Sequence, residues 1–135
     1  MVEYISGVNG TGKTRTLAQA AIITAQSSKG NVIFVDDTDK LKYALPSNIR
    51  LINTEDYMIN SSICLCGFLL GLCASDFDLT DVFVDSTTDI IEESKTNVDD
   101  FMEIISRVSE ATGVNFHFAV NDKHEDILMY QRVEG

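Results

Sequence analysis

The segment Gly7-Val8-Asn9-Gly10-Thr11-Gly12-Lys13-Thr14 fills every fixed position of the pattern G-x-x-x-x-G-K-[ST]. It lies between a short strand-forming run, Val2 to Ser6, and a helix-forming stretch, Arg15 to Ser27. This order of strand, glycine-rich loop and helix constrains the fold more than any other part of the chain. The glycines let the backbone turn back so that successive N–H groups converge on an anion, and the positive end of the helix dipole adds to the attraction. Gly7, Val8, Asn9, Gly10, Thr11, Gly12, Lys13, Thr14 and Arg15 are therefore the residues expected to cradle phosphates. Lys13 would reach the β- and γ-phosphates, and the Thr14 hydroxyl would take one position on Mg²⁺.

The rest of the chain reads as alternating strands and helices. Asn31 to Val35 is a continuous β-branched and aromatic run, the mark of a strand covered on both faces, and its order after the first strand and helix implies a parallel pair. A short edge strand is expected at Arg50-Leu51-Ile52. The apolar stretch Ile63 to Ala74 follows, capped by Ser61 or Ser62 and read as a buried helix. In it Gly67 and Gly71 either weaken the helix or admit a neighbouring backbone. A second buried strand is expected over Asp81 to Asp85. Next comes a helix capped by Asn97, with Phe101, Ile104, Ile105 and Val108 at helical spacing, ending at Gly113. Val114 to Val120 and Ile127 to Val133 complete the strands. The first helix is apolar around most of its circumference and asks for cover on several sides, and Gly30 supplies its stop. The pattern implies an α/β three-layer sandwich around a mostly parallel central sheet, with ligands beyond the carboxyl ends of the strands.

With 135 residues, 44% of them hydrophobic, the chain can build one core, so residues 1–135 read as a single nucleotide-binding domain. The net charge of -11 argues against nucleic acid and against an anionic membrane, because neutralising phosphates takes clustered Lys and Arg. No leader pattern stands at the amino end, which suggests a cytoplasmic protein. Ile63 to Ala74 falls short of the about 20 residues that span a bilayer. Cys64, Cys66 and Cys73 are an odd number set among apolar neighbours, which suits reduced thiols better than a metal or redox site.

Asp85 closes the run Val82-Phe83-Val84, the apolar-strand-plus-Asp pattern called Walker B, and its carboxylate is expected to hold Mg²⁺ beside Thr14. The carboxylates Asp36, Asp37, Asp39, Asp85 and Asp89 would repel a bare triphosphate, so nucleotide affinity should depend on the divalent ion. His117, inside a strand, reads as a structural histidine.

Together these residues resemble the P-loop NTPase superfamily and, within it, the RecA-like ATPases. Asn31-Val32-Ile33-Phe34-Val35-Asp36-Asp37 looks like their second strand, and Val84-Asp85-Ser86 like their Walker B ending. The likeness runs over about Val2 to Asp122 in element order. In that family the catalytic Glu lies just past the second strand. The matching position here is Thr38, flanked by Asp37 and Asp39, a departure that implies slow or partner-dependent Mg-ATP hydrolysis with Asp37 as the candidate base. The family's γ-phosphate sensor falls on Asn121. The acidic segment Thr87 to Asp99 does not suit the DNA-binding loops of recombinases. No guanine-specific signature follows the sheet, so ATP is the expected nucleotide and GTP stays open.

Two other functions compete with an ATPase. One is a kinase acting on a nucleoside or small molecule, though Arg50, Arg107 and Arg132 are too scattered to announce a basic lid. The other is a non-catalytic, nucleotide-dependent interaction subunit, either a homo-oligomer or bound to a protein partner, since RecA-like sites are often completed by an arginine from a neighbouring subunit.

Overall fold

The computed structural model describes residues 1–7, 12–85, 98–121 and 129–133. The chain runs β1 (Val2–Gly7), α1 (Lys13–Ser27), β2 (Asn31–Asp36), β3 (Ile49–Asn53), a 3-10 turn (Thr54–Tyr57), α2 (Ser62–Ser75), β4 (Leu79–Val84), α3 (Val98–Thr112), β5 (Asn115–Asn121) and β6 (Met129–Val133). The strands form one sheet in the order β3-β2-β4-β5-β1-β6. Strands β1 to β5 pair in parallel and only β6, on the outer side of β1, is antiparallel.

The two central runs are buried because each is covered twice. On one face Ile5, Phe34, Phe83 and Ala119 pack against Leu17 and Ala21 of α1. On the other, Val35, Val84 and Phe118 pack against Leu65 and Leu69 of α2 and Phe101 and Ile105 of α3. Alternate residues of each strand serve opposite faces, as a period of two requires. Phe34 and Phe83 stack at 6.2 Å between adjacent strands, and Phe101 meets Phe118 edge-on at 5.7 Å. The result is the three-layer α/β arrangement that the alternating pattern implies.

Three local readings change. α1 is covered on one side only: Leu17, Ala18, Ala21 and Ala25 are buried, while Ile23 faces outward. Its small alanines let the helix lie close to the sheet, with Leu41 and Leu45 packed at the edge of the same cluster. α2 is not a buried helix either. Ser61 caps it by accepting from the Cys64 N–H at 3.2 Å, and Leu65 and Leu69 are buried, but Ile63, Cys64, Gly67, Gly71 and Ala74 are exposed. Gly30 does not close α1 with a left-handed turn, since the Ser28 N–H returns to the Thr24 carbonyl at 2.9 Å. Gly30 is needed one step later, where a Cβ would collide with the Asp78 carbonyl and the Thr80 methyl. Asn31 N–H donates to that same Asp78 carbonyl at 2.7 Å, holding β2 to the entrance of β4. Gly113, with φ 78°, does end its helix in the left-handed region, as its position after α3 suggests. Asn97 lies outside the described residues.

Among the described residues no helix is long and apolar enough to cross a membrane.

Candidate functional site

α1 leaves the carboxyl end of β1 on one face of the sheet, while the segment following β4 leads to α3 on the other face. In open α/β sheets, ligands bind beyond the carboxyl ends of the strands where connections diverge in this way. The polar residues at these ends come from four parallel strands and the first turn of α1.

Gly12, at φ 83° and ψ 22°, occupies the left-handed region immediately before α1, and no side chain caps the helix there. Its carbonyl accepts from both the N–H and the hydroxyl of Thr16, at 3.1 and 3.0 Å, which anchors the first turn. Lys13 opens the helix and is 9% exposed, an unusual burial for a lysine. Thr14 Oγ1 donates to Asp85 Oδ2 at 2.7 Å, joining residues 71 positions apart. The Asp85 N–H donates to the Val35 carbonyl at 2.8 Å, so the end of β4 is fixed to the end of β2.

That junction brings in a carboxylate that the sequence reading names only among several acids. Asp36 ends β2 on the same side as Phe34 and is 3% exposed. Burial, and next the charge of Asp85, push its carboxyl up to about 7, against the opposing pull of the Asp37 N–H. That N–H donates to Asp36 Oδ1 at 2.8 Å. Asp37 and Thr38 are half-buried and Asp39 is exposed, so the acid most enclosed beside Asp85 is Asp36. The signal for it is the period of two along β2, which assigns residues 32, 34 and 36 to the α1 face.

Asn121 pairs with Gly7 in register, and β5 lies between β1 and β4. The end of β5 therefore stands between the glycine loop's strand and the Asp85 strand. Val8, Asn9, Gly10 and Thr11 lie outside the described residues, as do Ser86 and Asp89.

The donors that meet at Thr14, Asp85 and Asp36 are all oxygens, the chemistry of a hard divalent cation. Among the described residues no three His, Cys, Asp or Glu side chains form a closed metal cage. Any ion held here would complete its shell with water and ligand oxygens. The thiols do not contribute to such a site: Cys64, Cys66 and Cys73 are free on α2, and burial pushes Cys66 and Cys73 up from the ordinary thiol value.

A second polar cluster lies on the same sheet face toward the opposite ends of the strands. His117 is buried, with Nδ1 2.6 Å from Glu3 Oε1 and Nε2 2.8 Å from Asp81 Oδ2, and its ring stacks on Phe83 at 4.1 Å. Both contacts are hydrogen bonds only when the ring carries both protons or one carboxyl is protonated. Burial pushes the Asp81 carboxyl up, but hydrogen bonds from His117 and Thr80 and the His117 charge bring it below the ordinary value. His117 is thus a satisfied structural residue, as its place within a strand suggests.

No protein-family model matches this sequence, and no curated protein matches it significantly.

Proposed function

We propose that this chain is a P-loop nucleotide-binding protein with a RecA-like core, acting on Mg-ATP by slow or partner-dependent hydrolysis. One observation carries the reading: the Thr14 hydroxyl meets the Asp85 carboxylate at 2.7 Å. The sequence singles out these two residues independently, one by the glycine loop and one by an apolar strand ending in Asp. A chance match to either pattern gives no reason for the two to touch.

Backbone N–H groups from Gly7 to Thr14 would hold the phosphates, with Arg15 beside them, and the Lys13 ammonium would neutralise the β- and γ-phosphates. Thr14 and Asp85 would hold Mg²⁺, which when bound spreads the negative charge of the phosphate oxygens. Asn121, at the end of the strand between β1 and β4, would be the γ-phosphate sensor. Asp37 is the candidate base for orienting water, and its backbone N–H already fixes the Asp36 carboxyl.

The test is thermal stabilisation by Mg-ATP. At 100 times its Kd a ligand adds about 2.7 kcal/mol, or roughly 8–12 °C for a chain of this size. Lys13→Ala should abolish the shift while leaving the unliganded Tm within a few degrees. A shift that persists in Lys13→Ala, or is absent from the wild type with both ATP and GTP, refutes the assignment.

A further inference from the structure

We infer that Glu3, His117 and Asp81 form a proton-dependent lock on the sheet, closed only while the three side chains share one proton beyond a neutral ring and two carboxylates. The residues lie on β1, β5 and β4, which are neighbours in the sheet. His117 stands opposite Glu3 in the register of β1 with β5, and Asp81 meets the ring from the β4 side. Contacts of 2.6 Å at Nδ1 and 2.8 Å at Nε2 place a carboxyl oxygen at each ring nitrogen. A carboxylate only accepts, so each contact needs a hydrogen on one of its two atoms. A neutral imidazole supplies one. The second is the added proton, and it belongs to the group of three rather than to any one member.

The surroundings hold the ring to this arrangement. It stacks on Phe83 at 4.1 Å with the planes 9° apart, and turning it over would put carbon atoms where both nitrogens stand. Little water reaches it, since the side chains of His117, Asp81 and Glu3 are 6%, 9% and 17% exposed. α1 covers this face with Leu17, Ala18, Ala21 and Ala25 and carries no charged residue from Thr16 to Ser28, while Lys29 beyond its end is exposed. In register, β2 sets Val32 opposite Asp81, and β6 sets Arg132 opposite Glu3. Thr80 and Asn115 add hydrogen bonds to Asp81. Without the proton, a bare ring nitrogen would face a carboxylate inside the protein, two acceptors with no hydrogen between them.

Stability depends on pH through this proton. Above the ordinary histidine value of about 6.5, the unfolded chain has given it up. Folding then takes one proton back, so the stability that the lock supplies is complete below that pH and falls as pH rises above it. The same three strands lead, four residues further on, to Gly7, Asn121 and Asp85. The lock therefore grips, from the far end, the strands that present the candidate site.

The lock does not depend on the nucleotide reading, and it is tested on the full chain without nucleotide. Between pH 7 and pH 8, urea unfolding should show the wild-type folding constant dropping about tenfold more than that of Asp81→Asn. In that variant the new amide donates to Nε2 while the neutral ring donates from Nδ1 to Glu3, so both contacts survive without the added proton. Asp36, Cys66 and Cys73 also bring pH dependence near this range, because burial pushes each of them up, but both proteins share them and the comparison cancels it. Glu3→Gln repeats the test from β1, its amide donating to Nδ1, and stands in if Asp81→Asn does not fold. An excess under about twofold over either folded variant overturns the lock. So does a wild type whose folding constant stays level between pH 7 and pH 8.

Discussion

Two clusters of acid side chains sit on the α1 face of one sheet, at opposite ends of the strands, and they are treated differently. At the amino ends Glu3 and Asp81 clasp His117, and the Asp81 carboxyl is held below its ordinary value. At the carboxyl ends Asp36 is buried beside Asp85, and its carboxyl is pushed up to about 7. The first arrangement stabilises the sheet by matching buried charge. The second leaves anionic charge under stress at strand ends whose oxygen donors suit a divalent cation. A site that binds gives up some of the stability of the resting protein.

The largest effect should come from removing the matching charge. His117→Ala leaves Glu3 and Asp81 facing each other and is expected to cost about 3–5 kcal/mol. Urea unfolding measures it, and a loss under about 1 kcal/mol would mean that the triad carries no net charge matching. Next in size is Asp85→Asn, which should leave the fold intact yet weaken Mg-nucleotide binding by about 100-fold, equivalent to 2.7 kcal/mol. Calorimetry with and without Mg²⁺ reads it. An unchanged affinity would remove Asp85 from the binding site.

Smaller, but more diagnostic, is the pH dependence of the unliganded protein. The Asp36 carboxyl lies above its unfolded value, so the folded state holds the extra proton between about 4 and 7, and stability from this group falls as pH rises through that window. The Asp81 carboxyl lies below its unfolded value. Its contribution is present above about 4 and is lost as pH falls further. Asp36→Asn should therefore flatten the slope between pH 4 and 7 and raise stability at pH 8 by about 1 kcal/mol, within the usual scale of a relieved repulsion at a partly screened site. Chemical denaturation at pH 5 and pH 8 decides it, and a slope that survives in Asp36→Asn assigns the titration elsewhere.

The contrast also marks what the sequence could reveal. The runs Val32 to Val35 and Val82 to Val84 were legible because local chemistry determines them: strands with no polar side. The edge strand at Arg50 and a serine cap on α2 were legible for the same reason, though the choice of Ser61 over Ser62 came only with the structure. The Glu3–His117–Asp81 cluster was not, because it depends on which parallel strands adjoin and in what register. Asp36 was visible as an acid but not as the neighbour of Asp85, a relation that comes from the pairing of β2 with β4. α2 misleads for another reason. Its composition reports that the helix wants cover, and composition does not say whether the same chain supplies it.

The enclosed Asp36 carboxyl has a calorimetric consequence. With its carboxyl raised to about 7 it holds part of a proton near neutral pH, so a cation arriving beside Asp85 should expel part of a hydrogen ion into the medium. The heat of Mg-nucleotide association would then differ between phosphate and Tris at the same pH, in proportion to their enthalpies of ionisation, and the difference should vanish in Asp36→Asn.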